Sequence, residues 1–137
     1  DNARFEERKE KLAAQYSSYE VVDGLTINGE FTSGENIGDL GGLSIAYKAY
    51  RLSLGGQEAP VIDGLTGDQR FFLGNAQVWR GKARDEEAKR LLTIDPHSPF
   101  KFRANGTAVN VTEFYAAFDV QEGDGMWLPP EDRVKIW

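Results

Sequence analysis

One stretch constrains this chain more than any other: Gly34-Glu35-Asn36-Ile37-Gly38-Asp39-Leu40-Gly41-Gly42-Leu43, together with the helix it opens. Leu40, Leu43, Tyr47, Tyr50 and Leu54 recur at intervals of 3, 4, 3 and 4 residues, the spacing of one buried helix face. Beside them runs a second row, Glu35, Asp39, Gly42, Ala46 and Ala49, at intervals of 4, 3, 4 and 3. Two carboxylates therefore stack one turn apart at the head of a row of small side chains. Small residues admit close approach, so the row predicts that both carboxylates are drawn into an interior or a cleft. Gly38, Gly41 and Gly42 each cost about 1 kcal/mol against Ala inside a helix, and their clustering predicts tight backbone contact there. On spacing alone Glu35 has two readings. Thr32-x-x-Glu35 is a capping-box pattern, in which Glu35 reaches back to its own helix start. Alternatively, Glu35 is a metal ligand and Asp39 the carboxylate that orients a neighbouring ligand.

Composition bounds the rest. A chain of 137 residues is one domain's worth, able to bury roughly two-thirds of its unfolded surface. Sixteen basic against 22 acidic residues leave a net charge of −6, which argues against nucleic acid or an anionic membrane as partner. No apolar run approaches the roughly 18 residues of a membrane helix. There is no cysteine, which excludes disulfides and thiolate metal sites.

Taken in order, Ala3 to Tyr19 reads as an amphipathic helix with Phe5, Leu12, Tyr16 and Tyr19 near one face and a solvated run of charge on the rest. Val21 to Phe31, with Gly24 and Asn28-Gly29, is a turn-rich connector with room for one short strand. The central helix follows from about Thr32 to Leu54 and ends at Gly55-Gly56. Gln57 to Leu65 is a loop. A second capping box, Thr66-x-x-Gln69, opens a helix through Phe71, Phe72, Ala76 and Trp79, whose aromatics read as core. Gly81 interrupts it before a charged helical segment from Arg84 to Leu92.

Asp95-Pro96-His97-Ser98-Pro99 is a rigid turn, since its two prolines forbid helix across it, and it carries the chain's one histidine. A lone histidine in a turn reads first as a surface or capping residue. Beyond Gly106, Val109 and Val111 suggest a brief extended piece before a short helix from Thr112 to Phe118. Asn105-Gly106-Thr107 and Asn110-Val111-Thr112 are weak glycosylation sequons. Gly123, Gly125, Pro129 and Pro130 mark the tail as non-helical.

Three blocks carry a resemblance. Gly-Glu-Asn-Ile-Gly-Asp (34–39), followed by Leu-Gly-Gly-Leu and Ala-Tyr-Lys-Ala-Tyr, resembles the third zinc-ligand motif of the neprilysin and endothelin-converting-enzyme family, zinc endopeptidases of the gluzincin type. Phe71 to Trp79 is similar to the family stretch whose Val-Trp pair walls the pocket for the residue after the scissile bond. His97-Ser98-Pro99-Phe100-Lys101-Phe102-Arg103-Ala104-Asn105-Gly106 matches the family pattern His-Ser-Pro-x-x-Phe-Arg-x-Asn-Gly at every specified position. The terminal Val134-Lys135-Ile136-Trp137 resembles a family C-terminus that ends on a docked Trp. Gly38 departs from the usual Ala.

The resemblance implies a mainly α fold, helices joined by long loops with little or no sheet, forming the C-terminal part of a thermolysin-like catalytic domain with residues 1–137 as a single unit. It implies one Zn2+ with Glu35 as a ligand and Asp39 orienting a ligating histidine. It gives His97 as donor to the oxyanion, Arg103 as a clamp on a substrate carbonyl, and Val78 and Trp79 as pocket wall. The family's other zinc ligands belong to a His-Glu-x-x-His helix, and this chain has a single histidine. The remaining ligands and the general-base Glu are therefore expected upstream, on a missing N-terminal part of the same polypeptide. The isolated chain is expected to be inactive and to hold zinc weakly or not at all. Peptide substrates, self-association of the isolated chain, and a periplasmic, secreted or cell-envelope setting also follow. Animal members are rich in disulfides, so the absence of cysteine implies a bacterial source. A competing expectation is a non-catalytic helical interaction module derived from such a peptidase.

Overall fold

The computed structural model describes residues 1–137. Six helices surround one core: α1 (Asn2–Ser17), α2 (Ser33–Ser53), α3 (Gly67–Val78), α4 (Asp85–Ile94), α5 (Phe100–Ala108) and α6 (Thr112–Phe118). The only sheet is an antiparallel hairpin of β1 (Glu20–Val22) and β2 (Leu25–Thr26), with Glu20 opposite Thr26 and Val22 opposite Leu25. Asp23 and Gly24 close it with φ of 50° and 76°, the doubly positive geometry that a two-residue hairpin turn demands and that Asp-Gly supplies. The sequence reading had room for a single strand there, because it did not use the Asp-Gly pair. No helix is long and apolar enough to cross a membrane.

α2 is the central element, packed on α1 and α5, while α3 packs on α6 and α5. Its apolar stripe enters the core at Leu40 and Leu43, whereas Tyr47, Tyr50 and Leu54 are only half-buried. From α1, Leu12 and Tyr16 are almost fully enclosed. The Tyr16 hydroxyl donates to the Phe102 carbonyl at 3.2 Å and lies 3.2 Å from Thr107 Oγ1, so burial pushes this phenol well up while its polar atom stays paired. Tyr47, Phe71, Phe72, Phe114 and Phe118 form an aromatic seam between α2, α3 and α6. The Thr66–Gln69 capping box forms in both directions and starts α3, which ends at Val78 with Trp79 as its cap.

Three expectations need correction. The helix α5 runs through Gly106 to Ala108, and Val109 is helical in its backbone (φ −64°, ψ −13°), so of the expected extended piece only Val111 (φ −97°, ψ 113°) is extended. Burial of Phe102, Ala104, Thr107 and Ala108 outweighs the helix cost of Gly106, where an added Cβ would sit 3.1 Å from the Tyr16 and Tyr19 rings. Second, only Gly41 of the α2 glycines meets a close neighbour: a Cβ there would lie 2.6 Å from Trp137 Nε1, whereas Gly38 and Gly42 face open space. Third, the small-residue row is not drawn inward as a whole. The Asp39 side chain is 13% exposed, Glu35 is 45% exposed, and Gly42, Ala46 and Ala49 are exposed.

Candidate active site

The first two turns of α2 present Glu35 and Asp39, and the turn before α5 together with α5 itself presents His97 and Arg103. Pro96 and Pro99 hold the turn out of helix. Within it Asp95 Oδ1 accepts from the His97 backbone N–H at 3.0 Å and lies 2.6 Å from its ring Nδ1. The His97 amide and then its ring hold the Asp95 carboxyl below its usual range. The far ring nitrogen, Nε2, lies 3.1 Å from Glu35 Oε2. Both imidazole nitrogens thus face carboxylate oxygens, and both contacts are hydrogen bonds only when each nitrogen carries a hydrogen.

Arg103 meets Asp39 as a planar fork. Nε donates to Oδ2 and Nη2 to Oδ1, both at 2.7 Å, the bidentate geometry a guanidinium is built for. Those hydrogen bonds raise Arg103 above its ordinary value. Nη2 also lies 3.8 Å from Glu35 Oε2. The guanidinium covers the Trp79 ring at 4.0 Å from its centroid. Glu35, Asp39, His97, Arg103 and Trp79 therefore form one contiguous cluster. Val78 stands apart from this pattern, 73% exposed at the end of α3.

The capping-box reading of Glu35 is not realised. The Thr32 hydroxyl donates to the Asn28 carbonyl at 3.1 Å and accepts from Asn36 Nδ2 at 2.9 Å, and no side chain caps α2. Asn36 in turn accepts from Ser98 Oγ at 2.7 Å, with the two residues 1% and 3% exposed. Sequence reasoning assigned neither residue a role, although both lie inside the quoted motifs. The signal was present: Asn36 stands four residues before Leu40 and seven before Leu43, on the buried stripe, where a polar side chain requires a partner. The Asn110 side chain is likewise committed, to Gln15, the Gly106 carbonyl and the Val134 amide, so its sequon is structural.

No three His, Cys, Asp or Glu side chains converge on one point in the chain.

The helical scaffold thus brings a carboxylate pair, an imidazole and a guanidinium together at one place. The sequence pattern of Peptidase family M13 matches residues 1–134, and the chain belongs to that family. Neprilysin-3 of Drosophila melanogaster is 39% identical over 138 residues, covering 98% of this chain and 17% of the relative. Human endothelin-converting enzyme 1 is 40% identical over 136 residues, covering 97% and 17%. The crystal structure of the Mycobacterium tuberculosis zinc metalloprotease Zmp1 in complex with inhibitor has a TM-score of 0.97 at 54% identity, over 100% of this chain and 22% of that one. PepO from Lactobacillus rhamnosis gives 0.81 at 33%, over 99% and 20%. The higher identity with the mycobacterial structure than with these animal relatives agrees with a bacterial source. The chain spans about a fifth of the length of these proteins.

Proposed function

We propose that this chain is the C-terminal part of the catalytic domain of a zinc-dependent endopeptidase, one that acts on peptides outside the cytoplasm. In this reading it supplies one metal-ligating carboxylate, an oxyanion donor and a substrate clamp. The observation that carries the reading is the convergence of Glu35, Asp39, His97 and Arg103 from motifs more than 60 residues apart. Zinc, when bound by Glu35 and two imidazoles from the rest of the polypeptide, supplies a Lewis acid and an activated water.

The residues of this chain then have separable tasks. Glu35 presents an oxygen from the first turn of α2. His97, oriented through Asp95, holds Nε2 beside that carboxylate and donates to the charge that develops on the attacked carbonyl oxygen. Arg103 commits Nε and one Nη2 hydrogen to Asp39, and its remaining donors are free for a backbone carbonyl of the peptide. Asp39 fixes the guanidinium and, with its other lone pairs, accepts from a ligating histidine. Trp79 backs the guanidinium, and the family resemblance makes Trp79 and Val78 the wall of the pocket for the residue after the scissile bond.

Zinc content and peptide hydrolysis of the full-length enzyme test this. Glu35→Gln should lose zinc, whereas Asp39→Asn should retain some, with affinity or activity down about 10–100-fold. Equal metal content in both variants and the parent would remove Glu35 from the metal.

The exposed face of Gly38, Gly42, Ala46 and Ala49 favours one other reading, a non-catalytic interaction module. The two part on whether the coding sequence upstream of Asp1 specifies His-Glu-x-x-His.

A further inference from the structure

Glu35 and His97 face one another, and so do the residues that follow each of them. The contact of His97 Nε2 with Glu35 is 3.1 Å, and the next rung, Ser98 Oγ to Asn36 Oδ1, is 2.7 Å. The two rungs differ in surroundings. His97 and Glu35 are 43% and 45% exposed in their side chains, whereas Ser98 and Asn36 are buried.

The buried rung belongs to a directed chain. The Asn28 carbonyl can only accept, so the Thr32 hydroxyl spends its hydrogen there and must accept from Asn36 Nδ2. That fixes the Asn36 amide with Oδ1 towards Ser98, and Ser98 must donate. Every hydroxyl in the chain has one possible orientation. The contacts to Asp95 set the imidazole within its own turn, but they do not tie that turn to α2. The Ser98–Asn36 bond does, and it does so out of contact with solvent.

We infer that Ser98 and Asn36 are positioning residues that hold the imidazole of His97 in register with Glu35, a role that rests on the assignment of His97 as oxyanion donor. A shift of about 1 Å in such a donor is enough to cost on the order of 100-fold in rate.

The test is a double-mutant cycle on the full-length enzyme, reading kcat, KM and zinc content. Ser98→Ala should lower kcat about 10-fold or more, with KM and zinc unchanged. Ser98→Thr, which keeps the donor, should restore most of the rate. On a His97→Ala background, Ser98→Ala should cost nothing further, because the group it positions is gone. Should Ser98→Ala not fold, Ser98→Cys, similar in volume but a weak donor, takes its place in the cycle. Full additivity of the two losses, or a lowered Tm with normal kcat, would overturn the positioning role while leaving His97 in the site. A normal kcat in His97→Ala alone would instead remove the oxyanion assignment, and the positioning role with it.

Discussion

Under the roles proposed for them, His97 and Arg103 should answer to different kinetic constants although they belong to one cluster. An oxyanion donor meets charge that exists mainly in the transition state, so its removal acts on kcat. In the full-length enzyme His97→Ala should keep zinc and fold and lose about 100- to 1000-fold in kcat, the usual cost of one such donor. As the proposed clamp, Arg103 contacts ground state and transition state equally, so Arg103→Ala should chiefly raise KM. Steady-state kinetics on the two variants separate these outcomes, and a near-normal kcat for His97→Ala would leave the imidazole a turn residue. The motif residues were legible in the chain because their identities are distinctive. Their mutual geometry was not: nothing in the spacing of Asp39 and Arg103 reveals that both carboxylate oxygens are already occupied by the guanidinium. Such a pairing is a property of how α2 and α5 cross.

Among the elements, α2 was read nearly to the residue, since 3.6-residue periodicity, a glycine pair at its end and a 21-residue span left little freedom. α5 was missed because Asn105-Gly106 has poor helix propensity and tertiary burial overrides it. The open α2 glycines give a prediction whose sign depends on context. Gly42→Ala should stabilise the isolated chain by up to about 1 kcal/mol, because a Cβ there meets nothing. In a longer form of the chain whose remaining part covers this face, the same change should destabilise. Urea melts of both forms check the reversal, and a gain in both would mean the face stays uncovered. The α2–α3 junction makes a second prediction. Tyr47 donates to Asp68 at 3.0 Å, and burial, then that hydrogen bond, push its phenol up to about 12. A folded-state value above the unfolded one, near 10, means the junction's contribution is intact below about pH 10 and fades as pH rises towards about 12. Unfolding measured across that window should show a loss that Tyr47→Phe reduces, the buried Tyr16 phenol accounting for part of what remains.

At the scale of the whole molecule, the α2 face of Gly42, Ala46 and Ala49 continues into Ile45 and Leu52, which are 63% and 71% exposed. An apolar face of this kind drives association. The isolated chain should self-associate in a concentration-dependent way by sedimentation, and should carry far less than one zinc per chain after dialysis, since tight zinc sites need several converging ligands. Monomers at all concentrations with stoichiometric zinc would contradict both expectations. The helical class, the near-absence of sheet and the core aromatics could all be read from pattern. Where the surface stays uncovered could not, because periodicity marks a face as buried without saying by what.

The two ends of the chain meet: Arg8 on α1 donates to the Ile136 carbonyl at 3.0 Å, across 128 residues, and Val134 N–H donates to Asn110 at 2.7 Å. The tail carries no α-helix ladder of its own, and we expect it to open more readily than the middle of α2. Its buried amide at Val134 should exchange with solvent deuterium ahead of those in the middle of α2, and the terminal indole resting on Gly41 would leave with it, briefly baring the helix behind Glu35 and Asp39.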